Sequence, residues 1–206
     1  MPTQRIEQPS MNNRLATNRR RSVIKKHRAT RLHYDFRFED GGVLISFVLP
    51  EGPSYRAGES RIAVRVEDHD PRYMTSERVI PRGGYGAGPV MLWDKGAISL
   101  LPGYENVQEC LRNGCLRFTL ECHKLKGNWT LYRHSNARPG GRGEVWELIK
   151  EEDQFARDEG APDILVEAPN SVSTGRTLEE IEQDADRSTA RRPPFDQLVL
   201  IFTFEP

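Results

Sequence analysis

Along much of the chain, apolar side chains recur at every second position, in short runs cut by glycine and proline. The clearest run is Arg31-Leu-His-Tyr-Asp-Phe-Arg-Phe-Glu39, which alternates polar and apolar without a break. Successive side chains of a strand point to opposite faces, so this run predicts a half-buried β-strand with Leu32, Tyr34, Phe36 and Phe38 inward. Arg61-Ile-Ala-Val-Arg-Val-Glu-Asp-His69 reads the same way, with Ile62, Val64 and Val66 inward and Arg61, Arg65, Glu67 and His69 outward. The breaks carry turn chemistry: Gly-Gly at 41–42, Pro-Glu-Gly-Pro-Ser at 50–54, a glycine-rich stretch at 81–89 and Leu-Pro-Gly at 101–103. Short strands punctuated in this way predict an all-β barrel or sandwich. Two short helices interrupt the pattern. One covers 105–113, where Val107, Cys110 and Leu111 keep helical spacing and Gly114 stops it. The other covers 178–186, where Thr177 and Glu180 fit a capping box.

Three parts follow from this pattern. Residues 1–21 are polar, basic and aperiodic, a flexible arm; residues 22–157 form the β domain, with a Gly/Arg-rich loop at 135–143. Residues 158–206 are an acidic extension, partly disordered, although its final stretch Phe195–Pro206 alternates again and reads as a covered strand or docking segment. A chain of 206 residues with 36% hydrophobic side chains supports one compact domain with tails. No apolar run approaches the ~20 residues of a membrane span, and the first residues lack the apolar core of a secretory signal. Cys110, Cys115 and Cys122 form neither a disulfide framework nor a Cys-x-x-Cys metal site. The expectation is an intracellular, cytoplasmic protein without a membrane partner, nucleoid-associated if the source is a bacterium.

Charge changes the picture, because a net charge of zero conceals an asymmetry. From Arg14 to Arg37 the chain carries nine lysines and arginines against one acid, Asp35, whereas 151–186 is acidic with only Arg157 and Arg176 opposing. A basic block beside an ordered segment predicts a polyanion-binding face; the alternative is a solvated arm.

The candidate chemistry lies on the polar face of the first strand. His33 and Asp35 share that face, and His27 upstream completes a two-histidine, one-carboxylate set suited to a divalent transition metal. An ordinary cross-strand polar pair is the competing reading of His33 and Asp35. Arg37, on the same face, suits a phosphate oxygen. His69 joins the group if the second strand lies near, and a histidine there can donate to phosphate or protonate a leaving oxygen. His123 and His134 lack paired carboxylates and read as surface residues. Metal ligands flanked by arginines fit phosphoryl chemistry; the facial triad of a non-haem iron oxygenase is a second reading that the crowding arginines disfavour.

Six blocks carry a resemblance: VIKKHRATRLHYDFRFE, SFVLPEGPS, RIAVRVEDHDPRY, VIPRGGYGAGPVMLWDKG, KLKGNWTLYR and WELIKEEDQFA, in this order over about 22–157. Together they resemble the 3′-phosphoesterase domain of the bacterial ligase D proteins, and SVSTGRTLEEI at 171–181 is similar to the segment that follows it. No ligase or polymerase portion is visible, so the chain reads as a stand-alone version. The resemblance implies a small closed β-barrel with its active site in a groove on the outer surface. It also implies a manganese-dependent enzyme, with cobalt or zinc as alternatives, that trims DNA or DNA/RNA primer-template 3′ ends during non-homologous end joining. Such an enzyme removes a 3′-terminal ribonucleoside and then the 3′-phosphate, and works with a separate ligase, polymerase or Ku-type protein. By motif, His27, His33 and Asp35 would bind the metal, while Arg37, His69 and Arg61 would hold phosphate. Tyr73 and Glu67 match a tyrosine and an acid of the family's site. Glu51 stands where the family has a lysine, so removal of 3′-phosphate is expected to be weak. The non-catalytic alternative is a nucleic-acid-binding or docking module, which would not need this constellation.

Overall fold

The inward side chains of the alternating runs set the architecture, because a sheet that curls on itself buries one face of every strand. The computed structural model describes residues 18–134 and 144–190. Its strands are β1 (Arg19–Arg28), β2 (Leu32–Asp40), β3 (Val43–Leu49), β4 (Ser60–Arg65), β5 (Arg78–Ile80), β6 (Gly88–Leu100), β7 (Cys115–Cys122), β8 (Lys126–Arg133) and β9 (Glu144–Lys150). Eight of them close an antiparallel barrel in the order β1-β2-β3-β4-β9-β8-β7-β6, with β6 pairing back onto β1; β5 pairs with the first residues of β6. Closure removes the free edges of the eight-stranded sheet. Trp93, Trp129, Trp146, Phe36, Phe38, Phe47 and Phe118, all fully buried, fill the interior, which is a packed core and not a channel.

Local chemistry accounts for the connections. The turn between β2 and β3 is Gly41-Gly42, with φ of 56° and 83°. A two-residue hairpin of this kind needs positive φ at both positions, which glycine adopts without a Cβ clash. Helix α1 (Val107–Asn113) starts at Asn106, whose side chain accepts the Glu109 N–H, and ends at the left-handed Gly114. Helix α2 (Ile164–Glu167), which periodicity does not announce, is capped by Asp163. Helix α3 (Leu178–Ala190) opens on the expected capping box: Thr177 N–H donates to Glu180 and Glu180 N–H donates to Thr177 Oγ1.

Two of the face assignments need correction. Leu32, at the first position of β2, is 45% exposed, while Tyr34, Phe36 and Phe38 are buried as expected. On β4 the faces are inverted: Ala63 is fully buried and Ile62 is 52% exposed. The register explains this. Val64 lies opposite Val48, on the outer face of β3, and Arg65 lies opposite the core residue Phe47. Arg61 and Arg65 therefore share the inner side with Ala63, and the Arg65 guanidinium lies 5.5 Å from the Phe47 ring centre.

Strand β1 begins at Arg19, within the span read as an arm. Residues 1–17, the 135–143 loop and the alternating Phe195–Pro206 segment lie outside the described residues. Where it is described, the acidic extension runs back along the barrel: Trp93 Nε1 and Lys124 Nζ both donate to the Ala168 carbonyl at 2.8 Å, and Val172 N–H donates to the Leu92 carbonyl at 3.1 Å. Leu178 and Ile181 are buried against the core. Much of the basic block is paired with acids of the same chain, Arg19 with Glu121, Arg20 with Asp40, Arg21 with Glu39, and Arg28 with Glu179 and Glu182. No helix of the described residues is long and apolar enough to cross a membrane.

Candidate metal centre

The pairing of β1 with β2 assembles the centre. On β2 the residues opposite the core are His33, Asp35, Arg37 and Glu39; the register sets Val23 beside Arg37, Lys25 beside Asp35, and His27 beside His33. The outer face of the barrel thus collects two imidazoles and a carboxylate from residues far apart in spacing pattern but adjacent across two strands. One donor atom from each of His27, His33 and Asp35 lies within 4.8 Å of the others, an arrangement that could hold a metal ion. His27 Nδ1 and His33 Nε2 are each 4.0 Å from an oxygen of Asp35, too far for a hydrogen bond.

Backbone carbonyls fix which nitrogen each histidine presents. His27 Nε2 is 2.8 Å from the Gly86 carbonyl, His33 Nδ1 is 3.0 Å from that of Arg31, and His69 Nδ1 is 2.7 Å from that of Glu67. A carbonyl can only accept, so each of those nitrogens carries a proton, and in the neutral imidazole the other ring nitrogen is the one that keeps its lone pair. Such outer hydrogen bonds orient metal-binding histidines and raise their basicity as ligands. Burial is the largest influence on His27 and lowers its pKa; burial followed by the nearby Arg37 lowers that of His69. Both shifts favour the neutral imidazole, the form that can ligate or accept a proton.

Arg37 lies beside the carboxylate, its Nη2 3.5 Å from Asp35 Oδ1, with the side chain only 12% exposed. Its Nε is a buried donor without a hydrogen-bond partner. Such a donor is costly in a closed site and is satisfied by an incoming oxygen. The segment after β4 brings in His69, whose N–H and carbonyl pair with Leu44 of β3 at 3.0 and 2.8 Å. It continues into a 3₁₀ turn, Pro71–Tyr73, capped by the Asp70 side chain. Tyr73 is 42% exposed, with the Arg78 guanidinium 5.2 Å from its ring centre.

His27, His33, Asp35 and Arg37 are thus brought together, and Arg37 and Asp35 are among the charges that act on His69. Glu67 is exposed, and the contact it gives His69 is through its backbone carbonyl. Arg61 is engaged by Glu51 at 3.3 Å and Glu59 at 2.7 Å, and its Nε is a second buried donor without a partner. His123 and His134 are exposed. Lys25, which is not among the residues the sequence singles out, belongs here too. Its Nζ donates to the carbonyls of Tyr73 and Ser76 and to Ser76 Oγ, pinning the segment that carries His69 and Tyr73. The available signal was its place two residues before His27, on the same strand face. The Gly86 carbonyl had no side-chain signal at all.

The chain is similar to known proteins over much of its described length. A family model described as the DNA ligase D 3′-phosphoesterase domain matches residues 25–133. The multifunctional non-homologous end joining protein LigD of Pseudomonas aeruginosa is 43% identical over 171 residues, which cover 83% of this chain and 20% of that protein. The LigD protein of Mycolicibacterium smegmatis is 38% identical over 144 residues, 59% of this chain and 18% of its own length. That of Mycobacterium tuberculosis is 35% identical over 116 residues, 56% of this chain and 15% of its own. The chain spans about a fifth or less of the relatives it matches. It belongs to the DNA ligase D 3′-phosphoesterase domain family.

Proposed function

We propose that this protein is a metal-dependent phosphoesterase that trims DNA and DNA/RNA 3′ ends in non-homologous end joining, removing a 3′-terminal ribonucleoside. The observation that carries the reading is the buried, unpartnered Arg37 Nε beside the His27–His33–Asp35 cluster. The donor set of two imidazoles and a carboxylate fits manganese, with cobalt and zinc as alternatives. Such an ion supplies Lewis-acid polarisation of a phosphate oxygen and of water. Arg37 holds the non-bridging oxygens and offsets the charge that develops on them. His69, through Nε2, accepts a proton from the nucleophile's side or returns one to the leaving oxygen. Tyr73 and Glu67 flank His69 in the sequence, and the family membership supports a place for both in the site. Asp35 itself is paired with a guanidinium, which favours an anionic substrate over the oxygen chemistry of a facial triad.

Glu51 supports a bias between steps. It stands where the family has a lysine, and its carboxylate neutralises Arg61 at 3.3 Å instead of adding a cation that would favour a terminal phosphate dianion. The diester, with one charge, is affected less, and 3′-phosphate ends accumulate. The setting is intracellular, with a ligase, polymerase or Ku-type protein as partner. The test is incubation with Mn²⁺ and a primer-template bearing one 3′-terminal ribonucleotide, read on a gel. Wild type shortens the primer and leaves a 3′-phosphate; Asp35→Ala loses both cleavage and Mn²⁺ binding by calorimetry. Full cleavage in EDTA would overturn the reading.

A further inference from the structure

The loop that supports His27 carries a side chain for which the fold has no use. β5 and β6 form a hairpin whose loop includes Gly83, Gly84, Tyr85 and Gly86, and its stem is bonded to the metal strand through the pairing of His27 with Val90. The loop is tied down at three places. Gly84 N–H donates to the Pro81 carbonyl at 3.1 Å, Ala87 N–H donates to that of Gly84 at 3.2 Å, and the Gly86 carbonyl accepts from His27. Gly86 has φ of +70°, and a Cβ on it would come 3.2 Å from the His27 ring, so the backbone there approaches the imidazole as closely as a bare glycine allows. On this fixed mount the Tyr85 ring is fully exposed, at 104% of the reference area. Tyr85 is the residue before Gly86, whose carbonyl accepts from His27, so its backbone lies ~3.8 Å from that of the residue touching the metal-binding imidazole. Arg82 is exposed in the same loop.

An exposed aromatic side chain one residue from a backbone contact to a metal-binding histidine, with a cation in the same loop, matches how proteins hold single strands, by stacking bases and neutralising the backbone. We infer that Tyr85 is a stacking platform for a base at the 3′ end of the strand being trimmed, and so determines the preference for a nucleic-acid terminus over a simple phosphate ester. The inference rests on the function proposed above and adds the residue that reads the polymer. Tyr85 makes no contact with the reacting atoms and is a positioning residue.

The test compares wild type, Tyr85→Ala, Tyr85→Phe and Tyr85→Trp. On the ribonucleotide-ended primer-template with Mn²⁺, Tyr85→Ala is expected to raise KM about tenfold or more with kcat within about twofold, the size of a lost base stack; the Phe and Trp variants return to wild type. Hydrolysis of bis(p-nitrophenyl) phosphate stays equal in all four, as does the thermal midpoint. Fluorescence anisotropy of a labelled primer-template shows the same order of affinities independently of turnover. An unchanged KM and affinity in Tyr85→Ala, or no recovery with Phe and Trp, overturns the inference. A wild type that cleaves neither substrate with any divalent metal overturns the proposed function instead, and the anisotropy still decides the role of Tyr85.

Discussion

Arg37 and Asp35 sit two positions apart on one strand face and do different work. The carboxylate faces both imidazoles, whereas the guanidinium touches the carboxylate and keeps one buried N–H in reserve. A guanidinium stays protonated and does not ligate a cation, so its loss is felt by the substrate and not by the ion. Arg37→Ala should lower kcat for the ribonucleotide-ended primer by about 10²-fold or more, while Mn²⁺ content, read by atomic absorption after gel filtration, stays near that of wild type. Loss of the metal in that variant would show that the arginine's pairing with Asp35 serves ligand geometry instead. The cluster was legible in the sequence because β2 alternates without interruption: once Tyr34, Phe36 and Phe38 are core, His33, Asp35 and Arg37 have no other face to occupy. Which nitrogen each histidine offers was not legible, since it depends on carbonyls of Arg31, Glu67 and Gly86 that any residue would supply.

At the scale of elements, the segment between β4 and β5 crosses the outer face and is secured there by a lysine of β1. Lys25 is buried, and its ammonium replaces water with the carbonyls of Tyr73 and Ser76. Under it lies a small apolar set formed by Val23, Leu44, Leu92 and Met74. Removing the ammonium takes a donor from two part-buried carbonyls, a loss of up to about 1–3 kcal/mol for each that stays out of water. Lys25→Met should therefore speed amide exchange through residues 70–77, measured by hydrogen–deuterium exchange, and lower kcat more than Mn²⁺ affinity. Unchanged protection would mean that the apolar set alone holds the segment. β4 shows where the sequence misleads at this scale. Its alternation is real, but a period of two leaves open which half faces the core, and register decides it. Ala63 is too small to announce a core position beside Ile62 and Val64. Arginine stems can cover apolar surface near a barrel's end, as Arg65 does over Phe47.

For the whole molecule, burial of titratable groups fixes how stability responds to pH. Burial is the first cause in each of four cases: Lys25 and Lys124 are lowered to about 8, and Tyr34 and Tyr55 are raised to about 12. Between about 8 and 10.5 the unfolded chain holds lysine protons that the folded chain has released, so stability rises with pH. Between 10 and 12 the folded chain retains phenol protons that the unfolded chain has lost, so stability falls. Urea unfolding followed by tryptophan fluorescence should place the maximum of these contributions near pH 10, and Lys124→Met should flatten the climb toward it. A stability that declines steadily from pH 8 would contradict the assignment. The same separation of inside from outside has a further consequence in β2. That strand is two interleaved texts, one spelling a barrel in Tyr34, Phe36 and Phe38, the other spelling a reaction centre in His33, Asp35 and Arg37, and neither constrains the letters of the other. A lineage could erase the second and keep the first intact, leaving a perfectly folded shell that has forgotten its chemistry, so kinship in shape alone is a poor witness to activity in this family.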